Sequence, residues 1–134
     1  MSTVVVDTSA IYAVVDADDA RHAAALAQWR RLSAAEVGLA IPNYVVVEVM
    51  SLVSRRLGMD IARRVQRVAV SAMRTCWTTP LEHAAAMEEF LDTGRAPSLV
   101  DCATMAMMRA RGLTTIFTFD EDFDRAGFEV LPRR

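Results

Sequence analysis

Residues 3–10 read Thr3-Val4-Val5-Val6-Asp7-Thr8-Ser9-Ala10. Three successive β-branched valines form a short strand buried on both faces, because such side chains pack well on a pleated surface and restrict helix. Asp7 ends the run at once. It is predicted to cap a helix over residues 8–15, since an aspartate carboxylate can accept the unsatisfied N–H groups of a first turn. The same place suits chemistry equally well. In open α/β sheets functional groups gather at the carboxyl ends of the strands.

Outward from this stretch, short β-branched runs alternate with longer helical ones. Further strands are expected at residues 37–41, 76–78, 115–118 and 129–131. Helices are expected at 18–32, 44–57 and 60–73, from Pro80 to near Thr93-Gly94, and from 99 to 111. In the 18–32 helix, Ala24, Leu26 and Trp29 are read as the apolar side among exposed Arg and Gln. Pro42-Asn43 reads as a turn and cap, and residues 120–124 as a turn or short helix. Gly58 stops one helix, Pro80 opens another, and Ser98 and Gly112 bracket a third. Strands alternating with helices imply an α/β fold, a parallel sheet with helices on both faces. No repeat or Pro/Gly/Ser-rich linker divides the chain, so residues 1–134 are read as a single domain.

The chain has 134 residues, 53% of them hydrophobic, enough to bury a core without disulfides or a structural metal. Its longest apolar run falls short of a membrane span, and no basic segment leads into an apolar one at the start. A cytoplasmic protein that does not enter the membrane is expected. Cys76 and Cys102 form no CxxC and read as reduced, partly buried thiols. His22 and His83 are too far apart to suggest zinc and read as helix-surface residues. The formal net charge is -2, which argues against a non-specific nucleic-acid binder. All 15 basic residues are arginine, the better fork for phosphate, although a GC-rich genome explains that bias as well. Arg55, Arg56, Arg63, Arg64, Arg67, Arg74, Arg109 and Arg111 could neighbour an acidic site, but each is also explained by a solvated helix face, and Arg133-Arg134 by a loose tail. The methionines, Met105, Met107 and Met108 among them, read as core filling.

Four acids stand out, each with a structural reading beside the functional one. Glu48 lies within Val45-Val46-Val47-Glu48-Val49-Met50, where a charge must face water or a partner. With Ser51 and Arg55 at i+3 and i+7 it could simply belong to a solvated stripe. Asp101 lies three residues after Ser98, near a capping-box geometry, which would also hold a carboxylate rigidly at the positive end of a helix. Asp120 follows the strand at 115–118 and could be a turn residue, with Asp122 and Asp124 crowding the same turn. Their conjunction carries more. Asp7 and Asp120 each end a strand, and Asp101 begins the helix that feeds the 115–118 strand, so these points can converge on one sheet edge. Gathered carboxylates repel one another, and a divalent cation removes the repulsion. Oxygen ligands without His or Cys select Mg²⁺ or Mn²⁺ over Zn²⁺. Such a centre fits metal-assisted phosphodiester hydrolysis.

The same residues give the chain a resemblance to PIN-domain proteins, and within them to the VapC-type toxins of toxin–antitoxin pairs. The opening Val4-Val5-Val6-Asp7-Thr8-Ser9, Val47-Glu48-Val49, Asp101-Cys102-Ala103 and Thr118-Phe119-Asp120-Glu121-Asp122-Phe123 match that family's motifs in order across almost the whole chain. The resemblance implies a three-layer α/β/α sandwich around a short parallel sheet. It implies a Mg²⁺- or Mn²⁺-dependent endoribonuclease acting on structured RNA such as tRNA or rRNA, a VapB-like antitoxin that blocks the site, and a homodimer. Carried over by motif, Asp7 and Asp101 bind metal. Glu48 binds it directly or through water, or helps activate the attacking water, and Asp120 completes the cluster. Thr8, Ser9 and Thr118 orient carboxylates or phosphate, and Asp122 is a further possible ligand.

A phosphoacceptor receiver domain or a haloacid-dehalogenase-type phosphatase would need a lysine, and this chain has none. The remaining alternatives are a catalytically inactive PIN-fold module that binds RNA or protein, and cleavage of DNA.

Overall fold

The computed structural model describes residues 2–93 and 97–133. The chain runs β1 (Thr3–Val6), α1 (Thr8–Val15), α2 (His22–Ala34), β2 (Gly38–Pro42), α3 (Asn43–Leu57), α4 (Met59–Arg64), β3 (Arg74–Cys76), α5 (Pro80–Thr93), α6 (Leu99–Arg111), β4 (Thr115–Phe117), α7 (Glu121–Arg125) and β5 (Glu129–Leu131). The five strands form one parallel sheet in the order β3-β2-β1-β4-β5.

The valine run explains the layering. Successive side chains of a strand point to opposite faces. Val4 and Val6 pack with α1, α3 and α4 through Ile11, Val45, Val49 and Ala62, whereas Val5 packs with Met105 and Met108 of α6 and with Phe123 of α7. The central strand is thus apolar on both faces because helices cover both, the expected α/β/α arrangement. The methionines fill this core: Met105, Met107 and Met108 are all buried. Cys76 and Cys102 are unbridged and buried.

Several boundaries differ from the reading of the sequence. The helix expected from residue 18 begins at His22. Ahead of it, the Asp16 carboxylate accepts the Asp18 N–H at 3.0 Å and the Asp19 carboxylate accepts the Arg21 N–H at 2.8 Å. Aspartate offers the backbone these turns in competition with helix. The inward face of α2 is Ala25, Gln28 and Leu32, with Ala24 exposed and Leu26 and Trp29 half-buried. Gln28 is therefore a buried residue, accepting from Arg31 at 3.2 Å.

The helix expected over 60–73 begins at Met59 and gives way to a π-helical turn, Val65–Ala69, and a 3₁₀ turn, Val70–Ala72. Val65 and Val70 are both buried five residues apart, a spacing that a wider turn keeps on one side.

The strand expected at 76–78 lies at Arg74–Cys76, set by pairing of Ala40, Ile41 and Pro42 with Arg74, Thr75 and Cys76. Asn43 does not cap its own helix. Its Oδ1 accepts from both the N–H and the hydroxyl of Thr78, each at 2.8 Å. The ends of β2 and β4 shift by one residue, and β5 is as expected.

His22 is half-buried, with Nδ1 2.8 Å from the Ala13 carbonyl oxygen, rather than lying on the surface, while His83 is exposed beside the Tyr44 hydroxyl. Gly94 and Arg134 lie outside the described residues. No helix of the described chain is long and apolar enough to cross a membrane.

Candidate active site

Asp7 stands where β1 stops, its N–H bonded to the Phe117 carbonyl of β4 at 3.0 Å. It occupies the N-cap position of α1, yet its side chain caps nothing. Oδ2 instead accepts from the Thr118 hydroxyl at 2.8 Å and from the Ser9 hydroxyl at 3.2 Å. These hydroxyls lie 3.1 Å apart, and they further receive the N–H groups of Asp120 (at Thr118, 3.0 Å) and Phe119 (at Ser9, 2.9 Å). One hydrogen-bonded unit therefore locks the ends of β1 and β4 together. Asp7 Oδ1 is buried and has no hydrogen-bond partner.

Three other elements bring acids to this place. Asp101, in the first turn of α6, has its N–H capped by the Ser98 hydroxyl at 3.2 Å. Asp120 caps α7 by accepting the Asp122 N–H at 2.9 Å. Glu48, on α3, receives a hydrogen bond from the Thr8 hydroxyl. Asp7, Glu48, Asp101 and Asp120 all line one cleft of about 570 Å³, together with Thr8 and Ser9. Among the described residues, Asp101, Asp120 and Asp122 each place a carboxylate oxygen within 4.8 Å of the others, the spacing of a metal-ligand group. Asp7 and Glu48 share the cleft without belonging to that trio. Asp122 divides its allegiance, since Arg125 also pairs with it at 3.1 Å. Asp124 is exposed on α7 and does not line the cleft.

Charge is crowded here. Burial pushes the Asp7 carboxyl up to about 6, against the opposing Thr118 and backbone hydrogen bonds, and the charges of Glu48 and Asp120 push the same way. Asp101 is also raised, by burial first and then by the charges of Asp7 and Asp120. Carboxylates this costly to ionise, one of them with an orphaned oxygen, fit a site whose charge is completed by a cation. The donor set holds oxygen and no imidazole or thiolate, which suits a hard divalent ion.

The stripe Glu48, Ser51, Leu52 and Arg55 forms a wall of this cleft. Tyr12, Asp19 and Arg21 also line it, though the sequence alone did not single them out. Tyr12 stands one turn from Thr8 on α1, a periodic signal that was available. Arg21 carried no such signal, because the aspartate turns before α2 decide its place. Of the other arginines considered as neighbours, Arg63, Arg109 and Arg111 are paired with acids away from the cleft.

Comparison with known proteins shows the family. The family model of the PIN domain matches residues 4–129. The chain belongs to the PIN-domain family. As a PIN domain it is 36% identical to a Mycobacterium tuberculosis protein named 23S rRNA-specific endonuclease VapC20, over 95% of this chain and 97% of that one. The crystal structure of M. tuberculosis VapC20, described as a sarcin–ricin-loop-cleaving toxin, superposes with a TM-score of 0.80 at 31% identity, covering 93% of this chain and 95% of that one. VapBC2 from Rickettsia felis, bound to a DNA fragment from its promoter, shares the PIN fold with a TM-score of 0.72 at 14% identity, covering 96% of each chain.

Proposed function

We propose that this PIN domain is a metal-dependent endoribonuclease, the toxin of a VapBC-type toxin–antitoxin pair, that hydrolyses a phosphodiester bond in structured ribosomal RNA. The observation that carries the reading is the buried, unpartnered Oδ1 of Asp7, a residue that lines an acid-rich cleft. Leaving a buried carboxylate oxygen without a partner costs free energy unless something outside the chain completes it.

Asp7 and Asp101 are the principal candidates to hold Mg²⁺ or Mn²⁺, with Asp120 and Glu48 beside them and Asp122 as a further ligand. A divalent cation bound there supplies Lewis acidity and offsets the charge that develops on the reacting phosphate. The hydroxyls of Thr118 and Ser9 hold Oδ2 of Asp7, which fixes the direction of Oδ1. Thr8 holds Oε1 of Glu48 and leaves Oε2 to take up the proton of the attacking water.

The identity to VapC20 supports the sarcin–ricin loop of 23S rRNA as the substrate. The likeness to a VapBC assembly supports an antitoxin partner. Self-pairing draws support from Val47, Trp77 and Leu81, large apolar side chains that are mostly exposed. Such surface often marks a protein interface.

The test uses protein purified free of antitoxin, with sarcin–ricin-loop RNA and total ribosomal RNA as substrates. Discrete cleavage is expected with Mg²⁺ or Mn²⁺. EDTA, Asp7→Asn and Asp101→Asn should each lower it by at least about a hundredfold, the scale of removing one preorganised electrostatic group. Cleavage that survives EDTA or both substitutions would refute the assignment. Metal binding without cleavage of any RNA would favour an inactive binding module.

A further inference from the structure

A cleft rich in carboxylates repels the polyanion it must bind, so it needs fixed cations at its edge. Five acids line this one, Asp7, Asp19, Glu48, Asp101 and Asp120, and only two arginines, Arg21 and Arg55. Elsewhere several arginines pair with acids: Arg63 with Asp60, Arg109 with Glu89, Arg111 with Glu82, Arg125 with Glu121 and Asp122, and Arg133 with Glu129. Among the described residues, Arg21 and Arg55 form no ion pair, although they share a cleft with five acids.

Each is placed to present its guanidinium outward. Arg21 lies over the Phe119 ring, 5.5 Å from its centroid. Phe119 immediately precedes Asp120, and its own N–H is tied to Ser9. This cation–π contact locates the Arg21 guanidinium without using its N–H donors. Arg55 sits two turns along α3 from Glu48, about 10 Å at the helical rise, in the last turns of a helix whose negative end favours a cation.

We infer that Arg21 and Arg55 bind the RNA phosphates that flank the scissile one, Arg21 on the side of Asp120 and Arg55 on the side of Glu48, and so seat the strand across the carboxylates. Arg21 meets its phosphate edge-on through a bidentate fork. This rests on the reading of the chain as a ribonuclease, and supplies the cationic part of a site whose known residues are all acidic or neutral.

The experiment measures binding rather than turnover. Fluorescence anisotropy follows labelled sarcin–ricin-loop RNA in EDTA, across a series of salt concentrations, so that no cleavage intervenes. Arg21→Ala and Arg55→Ala should each weaken binding about tenfold, as for one charge-assisted hydrogen bond, and reduce the salt slope by about 1. Arg21→Lys should keep the slope while losing affinity, since it retains the charge and loses the fork. Arg67→Ala is the control, an exposed arginine of the π-helical turn outside the cleft. Both arginines are exposed, so the substitutions spare the core.

If the wild type bound and cleaved RNA while both alanine variants matched Arg67→Ala, the phosphate assignment alone would fall. If the wild type cleaved RNA with Mg²⁺ but bound none in EDTA, the assignment would fall; if it neither bound nor cleaved RNA, the ribonuclease reading would fall as well. Unchanged RNA binding with weakened binding of a labelled polyglutamate peptide would give the two arginines to an acidic protein segment instead, and overturn the RNA assignment.

Discussion

At the scale of the residue, Asp7 shows how one side chain can satisfy two readings until its contacts are known. The sequence permits a helix cap, and the residue does occupy that position, but its carboxylate turns to Thr118 and Ser9. Its raised pKa makes the metal-free protein sensitive to pH. Between the unfolded value near 4 and the folded value of about 6, the folded state binds more protons than the unfolded one. The stabilising contribution is therefore full below about pH 4 and is lost as pH rises through 6, with Asp101 extending the loss upward. In EDTA, the melting temperature of the wild type should fall relative to that of Asp7→Asn between pH 5 and pH 8, as differential scanning calorimetry would record. Mg²⁺ should raise the wild-type melting temperature more at pH 8 than at pH 5, because it binds the deprotonated carboxylates. Parallel pH profiles for the two proteins would show that Asp7 does not titrate in this range.

At the scale of the element, α6 and α3 position the site by different means. The Ser98 hydroxyl caps α6 at the Asp101 N–H, which sets the carboxylate on the first turn. Ser98→Ala should cost about 1 kcal/mol of stability, read by urea denaturation. It should also weaken metal binding measured by calorimetry, because Asp101 loses its anchored turn. An unchanged metal affinity would show that the helix alone fixes Asp101. On α3, the spacing of Glu48, Ser51 and Arg55 predicts one face correctly, and only its surroundings decide what that face meets. It lines a cleft shared with α1 and α6, not open solvent. Thr8→Val keeps the volume of the side chain and removes the hydroxyl that holds Glu48. It should lower cleavage about tenfold or more with little change in RNA affinity, checked by single-turnover kinetics beside anisotropy. An equal loss in both would move Thr8 from orienting Glu48 to contacting RNA.

At the scale of the molecule, the fold gathers acids inward while leaving apolar and cationic groups outside. Val47, Trp77 and Leu81 are exposed on or near α3, β3 and α5. Sedimentation should therefore reveal a species of twice the 14.8 kDa chain mass, and Trp77→Glu should shift it to the single chain while leaving the fold intact by circular dichroism. A wild-type chain that sediments singly at tens of micromolar would sink the self-pairing. Much of the architecture was legible beforehand, because it follows from local causes. Val4-Val5-Val6 declares a strand covered on both faces, Ser98 and Gly112 bracket α6, and Asp7, Glu48, Asp101 and Asp120 stand out as acids at strand ends or in apolar or capped surroundings. Where several local solutions compete, the sequence was silent or misleading. The aspartates before α2 chose turns over helix, the segment after α4 widened into a π turn to bury both Val65 and Val70, and Gln28 went inward. Propensity, capping and period act over a few residues, so the chain alone was enough to place most elements and to single out acids at strand ends, a helix start and an apolar helix. The packing of distant segments brings those acids into one cleft, leaves Asp7 Oδ1 without a partner, and sets Arg21 and Arg55 beside them with no ion pair among the described residues. Those facts depend on contacts between segments forty to more than a hundred residues apart, and no local rule reaches that far.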